Sequence, residues 1–423
     1  MSLNKKRERA VIAGLSASSM KESERSTETS MEELAALVET AGGEAIAYLT
    51  QNRQAPDARS FIGDGKAKEM KQLIEDNDCE LAVFDNELSP SQMRVLTEEL
   101  GVRVLDRSGL ILDIFAQRAK TREGQLQVEL AQYEYLLPRL TGMWSHLVRQ
   151  TASGGPSPIG TRGPGETQLE SDRRHIRQKI QKLREELEDV RRVRGTQRRL
   201  REKNAVPVVC LVGYTNAGKS TLLNFLSGSE IPANNRLFDT LDTTTKRLRI
   251  SETQEVLMSD TVGFIRKLPT HLVEAFKATL EELVYADLLL HVIDLSNPDW
   301  DNQAKVVEGL VSQLGAEKTP CLRVFNKCDL YNGEPHCGKD SVCISAKTGE
   351  GMAELLAKIS EIIEGGKKHL KLLLPYSEAA VLDLLRREEA VLSQKYTEEG
   401  IEVEAVIRPE LWSRVRRFVE KED

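Results

Sequence analysis

The chain has 423 residues, of which 40% are hydrophobic and 30% charged, and its formal net charge is −7. That length suits about three domains with ordinary cores, and no apolar run approaches the roughly 18–20 residues that cross a membrane. The modest acidity argues against a general nucleic-acid binder, and six scattered histidines without an H-x-x-x-H pair argue against a histidine-built metal site.

The N-terminal stretch "MSLNKKRERAVIAGLSASS" starts basic, but its apolar patch is shorter than a secretory signal requires. Arg9 to Leu15 reads as a strand instead. Short β-branched runs follow at Ala10–Leu15, Glu44–Leu49, Leu81–Asp85 and Val102–Leu105. Helical patterns lie between and after them at Met31–Thr40, Lys66–Asp76, Ser89–Leu100 and Leu110–Lys120. Such alternation predicts a parallel sheet covered by helices. Ser89 followed by Pro90 is a helix start, because the serine oxygen satisfies a free N–H and proline has none to satisfy. "GDGK" at Gly63–Lys66 lacks phosphate-loop spacing and reads as another helix start with a surface lysine. The cysteines (Cys79, Cys210, Cys321, Cys328, Cys337 and Cys343) form no C-x-x-C and are expected to be buried free thiols.

Two helices with coiled-coil spacing come next. Leu126, Leu130, Tyr133, Leu137 and Leu140 form one stripe, and Ile176, Ile180, Leu183, Leu187 and Val190 the other. The two stripes predict an antiparallel hairpin. The connection, 141–165, is far longer than the roughly 2–8 residues a helix hairpin needs, so it is expected to be functional or disordered. It contains most of "SGGPSPIGTRGPGETQ" (Ser153–Gln168), with five glycines and three prolines. From Arg173 to Lys203 there are thirteen Lys/Arg against five Asp/Glu. A basic segment on an acidic protein is a candidate patch for a polyanion, although a solvated helix face has the same composition.

The run "VPVVCLVG" from Val206 feeds "GYTNAGKS", Gly213–Ser220, which fits G-x-x-x-x-G-K-[ST] and precedes a helical run. This is the phosphate loop in its proper context. Its candidates for nucleotide contact are Gly213, Tyr214, Thr215, Asn216, Ala217, Gly218, Lys219 and Ser220, followed by Thr221. The glycines let backbone N–H groups turn toward phosphate. Lys219 brings positive charge to the β- and γ-phosphates, and the Ser220 hydroxyl is placed for Mg²⁺. In "SDTVGF", Asp260 stands at a strand tip near the Mg²⁺ shell, Thr261 and Val262 follow, and Gly263 offers its N–H to the γ-phosphate. In "VFNKCD", the Asp329 carboxylate accepts two N–H groups from guanine that adenine lacks. Asn326, Lys327 and Cys328 hold that loop. Ser345, Ala346 and Lys347 supply a backbone N–H for the guanine oxygen. Four ordered motifs, each at a strand end, specify a guanine-nucleotide domain and exclude an ATP-driven motor. The first switch lies in "FDTLDTTTKR", where Thr240, Thr243, Thr244 and Thr245 are all candidates for the Mg²⁺ ligand.

The predicted architecture is α/β multidomain. It comprises an N-terminal α/β domain (1–122), a long antiparallel helical hairpin with its glycine-rich loop (123–204), a Ras-like P-loop GTPase domain (205–366) and a small C-terminal α+β domain (367–423).

The stretches "DRSGLILDIFAQRAKTREGQLQVELAQYEYLLPRL", "GTRGPGETQLESDRRHIRQKI", "GYTNAGKST", "FDTLDTTT" and "DTVGFIRKLPTHLVEAFKATLEE" resemble the HflX family of ribosome-associated GTPases over essentially the whole chain. The resemblance implies GTP hydrolysis with bound Mg²⁺, association of a monomer with the large ribosomal subunit, and splitting of ribosomes under stress. Ribosomal RNA would be met through the N-terminal domain, the hairpin and the glycine-rich loop. It implies a cytoplasmic protein, with peripheral membrane association of a fraction. The family's F-x-T-L-D maps onto Phe238, Asp239, Thr240, Leu241 and Asp242, which makes Thr240 the Mg²⁺ ligand and leaves Lys219, Thr240 and Gly263 as the catalytic set. Here Asp239 replaces a small residue and Thr243 a common proline. Phe264 stands where Ras-like proteins carry a water-orienting glutamine, which predicts slow intrinsic hydrolysis stimulated by a partner. Asn216 matches an asparagine that holds a monovalent cation (K⁺) in some related GTPases; the plainer reading is that it shapes the loop. The rival reading of the whole chain is a GTPase that scaffolds a protein complex without RNA contact.

Overall fold

Residue alternation along β1 (Glu8–Ala17) decides how the first layer is built in the computed structural model. Ala10 and Ile12 join the core formed with α1 (Glu28–Ala41) and α4 (Arg107–Arg118), whereas Val11, Ala13 and Leu15 join the core formed with α2 (Asp64–Asp76) and α3 (Pro90–Leu100). The structure describes residues 7–140, 164–203, 206–228, 237–241, 244–250, 254–268, 272, 283–331, 333, 337–338, 340–364, 368–388, 390–397, 400–407, 411 and 414–419. With β2 (Gly43–Arg53), β3 (Leu81–Phe84) and β4 (Arg103–Asp106), β1 forms a parallel sheet in the order β2-β1-β3-β4. Helices on both faces keep such a sheet out of water. Ser89 caps α3 with a reciprocal capping box to Gln92. Lys66 pairs with Glu69 on α2.

Helix α5 (Arg122–Leu136) lies against α6 (Pro164–Lys203). Leu126 and Leu130 are buried with Ile180, Leu183 and Leu187, and Tyr133, Leu137, Ile176 and Val190 pack around them. Arg122 reaches Glu186, while Glu129, further along α5, meets Lys179, earlier on α6. The two helices therefore run antiparallel. The connection 141–163, and with it the glycine-rich stretch as far as residue 163, lies outside the described residues.

The second sheet has the order β10-β9-β8-β5-β7-β6. Its strands are β5 (Val208–Gly213), β6 (Thr244–Arg249), β7 (Glu255–Asp260), β8 (Leu288–Asp294), β9 (Cys321–Asn326) and β10 (Ser341–Cys343). Strands β10, β9, β8, β5 and β7 are mutually parallel. Consequently the phosphate loop after β5, the Asp260 turn after β7 and the Asn326 turn after β9 emerge at one edge, where open α/β sheets bind ligands. Helices α7 (Lys219–Ser227) and α8 (Trp300–Gln313) belong to this part.

The chain divides into two compact units: Met1–Leu248 with Leu257–Glu350, and Arg249–Val256 with Gly351–Asp423. The second contains α9 (Met352–Glu364), α10 (Ala379–Arg387) and an antiparallel sheet of β11 (Lys368–Leu374), β12 (Val391–Thr397) and β13 (Gly400–Ile407), in the order β11-β13-β12. Leu372, Leu374, Val403 and Ala405 cover Leu382 and Leu385 of α10.

One expectation is corrected. Cys337 and Cys343 are joined by a disulfide, with Cα atoms 6.1 Å apart, because the backbone turns at Gly338–Ser341 and returns into β10. Cys79 and Cys210 are buried free thiols, but Cys321 is exposed and Cys328 half-buried. No helix among the described residues is long and apolar enough to cross a membrane.

Candidate functional site

The phosphate loop bends because its glycines stand where no side chain fits. A Cβ on Gly213 would lie 2.3 Å from the Val292 carbonyl oxygen of the neighbouring strand. Gly218 has φ +94°, and a Cβ there would lie 2.2 Å from Asn326 Nδ2. Asn216 is also left-handed, with φ 62°, so it shapes the loop directly. Lys219, 6% exposed, folds back to donate to the carbonyls of Gly213 (2.9 Å) and Tyr214 (2.8 Å). Burial pulls its ammonium down to about 8, with Asp260 opposing the fall.

A cleft is lined by Thr215, Asn216, Gly218, Lys219, Ser220 and Thr221 of this loop, by Phe238, Asp239 and Thr240, and by Thr261 and Gly263. Three segments far apart in sequence thus face one space. Within it, Ser220 Oγ lies 2.7 Å from Thr240 Oγ1 and donates to Asp260 Oδ2 at 2.6 Å. Thr244 and Thr245 instead lie in β6, where the Thr245 hydroxyl pairs with Ser259; Asp242 and Thr243 lie outside the described residues. Burial raises the Asp260 carboxyl, and its buried Oδ1 has no hydrogen-bond partner among the described residues. Val262 and Leu241 are buried. Thr261 is fixed by its hydroxyl, which donates to the Leu211 carbonyl at 2.6 Å. Phe264 is 2% exposed and belongs to the apolar core with Tyr214. Its backbone zips to the phosphate loop: Thr215 N–H donates to Phe264 O (2.8 Å) and Phe264 N–H to Gly213 O (3.1 Å).

The base-recognition turns are tied to the phosphate loop by Asn326. Its Nδ2 donates to the Ala217 carbonyl at 2.8 Å, and its Oδ1 accepts from the Ala346 N–H at 2.9 Å. Lys327, left-handed at φ 63°, donates to Asp294 at 2.6 Å. Ser345 is buried, and Asp329 and Lys347 are exposed. Cys328 Sγ lies 3.9 Å from Glu350.

Several residues around the site escaped sequence reasoning. Asp294 had a usable signal, since an acidic residue ends the apolar run "LLLHVID" and pairs in register with Asn326. Others had none. The Tyr214 hydroxyl donates to Glu33 of α1 and accepts the Arg266 N–H at 2.9 Å. Arg107, 1% exposed, donates to Glu33 and to Asp85 Oδ1 (2.8 Å), and Lys267 pairs with the same Asp85. Burial alone would raise Asp85, but Arg107 and Lys267 hold its carboxyl below the usual range. The segment after Asp260 therefore reaches the carboxyl end of β3 in the first sheet.

A family profile described as GTP-binding GTPase N-terminal matches residues 28–116, one described as GTP-binding GTPase Middle Region matches 118–201, and one described as 50S ribosome-binding GTPase matches 208–327. The chain is 45% identical over 417 residues to the GTPase HflX of Caldanaerobacter subterraneus subsp. tengcongensis, covering 99% of this chain and 95% of that one. The chain belongs to the HflX family. It binds guanine nucleotide and is a GTPase. The HflX protein of Escherichia coli is 43% identical, over 88% of this chain and 87% of its own. A solved GTP-binding protein from Sulfolobus solfataricus in complex with GDP is 24% identical, with a TM-score of 0.44 over 84% of this chain and 98% of that one. Asp239 sits beside Thr240 at the cleft.

Proposed function

We propose that the chain is a GTP-switched factor of the large ribosomal subunit that splits or rescues ribosomes under stress. The observation that carries the switch is the convergence of Ser220, Thr240 and Asp260, three oxygen donors from three segments, within 2.7 Å contacts. Two hydroxyls and a buried carboxylate with an unpartnered Oδ1 fit Mg²⁺, a hard cation that takes oxygen ligands. Ser220 and Thr240 would hold it, with Asp260 beside them, and bound Mg²⁺ would neutralise charge on the β- and γ-phosphates.

The residues divide the work. Lys219, held by the Gly213 and Tyr214 carbonyls, has a third N–H to give the phosphates. Gly263 N–H contacts the γ-phosphate, and Thr240 ties the first switch to it. Asp329 selects guanine, while Asn326 joins base and phosphate loops. Water attacks the γ-phosphorus, the bond from that phosphorus to the bridging oxygen breaks, and GDP and phosphate leave. Phe264 cannot orient that water, because a buried phenyl ring neither donates nor accepts a useful hydrogen bond. Intrinsic turnover is therefore slow until a partner completes the arrangement. Asn216 shapes the phosphate loop; turnover faster in K⁺ than in Na⁺ would add the role of holding a monovalent cation, and equal turnover would leave it as a loop-shaping residue only.

The match to a profile described as 50S ribosome-binding GTPase and the basic run Arg173–Lys203 support the ribosomal partner over a protein-only scaffold. The N-terminal domain, the hairpin and the glycine-rich connection would face ribosomal RNA, which is read through shape, phosphate and 2′-OH contacts. Steady-state turnover with and without large subunits tests the reading. Stimulation of at least about tenfold is expected, because a partner that completes the catalytic arrangement stabilises charge in the transition state. Equal turnover would remove the partner from the mechanism.

A further inference from the structure

The first switch is anchored from outside the nucleotide fold. At the end of α4, Phe115 meets Phe238 edge to face, with ring centroids 4.7 Å apart and planes at 87°. Both rings are buried, at 1% and 2% exposure. One turn on, Arg118 lies 3.3 Å from Asp239 Oδ1, with the Asp239 side chain 9% exposed. Thr240 follows immediately, its hydroxyl 2.7 Å from Ser220, and Leu241 after it is buried. Phe238 has φ 56°, a left-handed conformation that is strained for a bulky residue. From α4 the Phe115 ring packs on Phe238 and the Arg118 guanidinium reaches the next residue, Asp239.

We infer that Phe115 and Arg118 are positioning residues for the GTPase reaction: they fix Phe238 and Asp239 so that the Thr240 hydroxyl is presented at Ser220 and Asp260. The inference rests on the reading of Thr240 as the γ-phosphate-sensing Mg²⁺ ligand. The ring pair sets the height of the segment, since edge-to-face packing fixes centroid distance and tilt. The ion pair adds a second anchor at the next residue: the Arg118 guanidinium lies close enough to attract the largely buried Asp239 carboxylate. Asp239 thereby has a purpose in this chain that a small residue could not serve. No residue of α4 is among those that line the cleft.

Three variants of the full chain test it: Arg118→Glu, Arg118→Glu with Asp239→Arg, and Thr240→Ala. Affinities for GDP and for a non-hydrolysable GTP analogue are measured across a Mg²⁺ titration, with thermal unfolding as a check. Arg118→Glu should weaken the GTP analogue about tenfold, or about 1.4 kcal/mol, raise the Mg²⁺ requirement, and leave GDP affinity within about twofold because Thr240 acts on the triphosphate state. The charge-swapped pair should recover most of the loss, and the selective effect on the GTP analogue over GDP is what a merely structural role for Arg118 would not produce. Loss of GDP and GTP affinity together, or no recovery in the swapped pair, would overturn the inference. If Thr240→Ala weakens the GTP analogue but Arg118→Glu does not, only the positioning role fails. If Thr240→Ala itself changes nothing, the reading of the first switch fails and the inference with it.

Discussion

Asn326→Ala isolates the link between the two halves of the nucleotide site. The side chain is 2% exposed and makes two hydrogen bonds, to the Ala217 carbonyl at 2.8 Å and from the Ala346 N–H at 2.9 Å. Truncation leaves a carbonyl of the phosphate loop and an amide of the base loop without partners. Each such buried orphan costs about 1–3 kcal/mol. Local relaxation recovers part of this, so about 3 kcal/mol remains to be met when the loops are brought together around a nucleotide. That corresponds to roughly a hundredfold loss of GDP affinity. Asn326→Asp should do no better, because it keeps the acceptor for Ala346 but turns a carboxylate oxygen toward the Ala217 carbonyl. The assay is an equilibrium titration with a fluorescent GDP analogue, competed with ATP to follow base preference. Preference for guanine should survive, since Asp329 is untouched. A loss smaller than about threefold, under 0.7 kcal/mol, would refute the claim that Asn326 couples the loops.

Two further outcomes are expected. Lys219 has its ammonium pulled down to about 8 by burial, and phosphate would pull it back up, so nucleotide binding above that pH takes up a proton. Affinity should be independent of this group below about pH 8 and fall by up to tenfold per pH unit above it; Lys219→Met should bind weakly with no such slope, and calorimetry in buffers of different ionisation enthalpy would count the proton. Arg174 and Arg177 are exposed on α6, and replacing both by Gln should reduce the salt dependence of ribosome binding by about one to two in log–log slope. An unchanged slope would take this stretch of the helix out of the RNA contact.

How much of this was legible beforehand follows from where each constraint lies. The phosphate loop Gly213–Ser220 is readable because phosphate imposes its chemistry on eight consecutive residues. The hairpin stripes are readable because helical spacing repeats. The helical pattern read from Leu110 starts at Arg107, because Asp106 caps the helix by accepting the Gly109 N–H at 2.8 Å and apolar spacing begins only at Leu110. Sequence alone left four threonines open in the first switch, and the geometry now brings Thr240 to Ser220 while Thr244 and Thr245 enter β6. The pairs Glu33–Tyr214 and Arg118–Asp239 have no local signature. Each joins residues over a hundred positions apart, and only the packing of α1 and α4 against the nucleotide fold makes them neighbours. Cys337–Cys343 was hidden for a different reason, since a spacing of six has no characteristic meaning until the turn before β10 is known.

If GTP controls engagement with the ribosome, sedimentation with purified large subunits at fixed salt will show it. With Mg²⁺ and a non-hydrolysable GTP analogue the protein should pellet with the subunits. With GDP it should stay largely in the supernatant, at an affinity lower by about tenfold or more, as linkage between nucleotide and partner requires. Equal pelleting in the two nucleotide states would contradict the account.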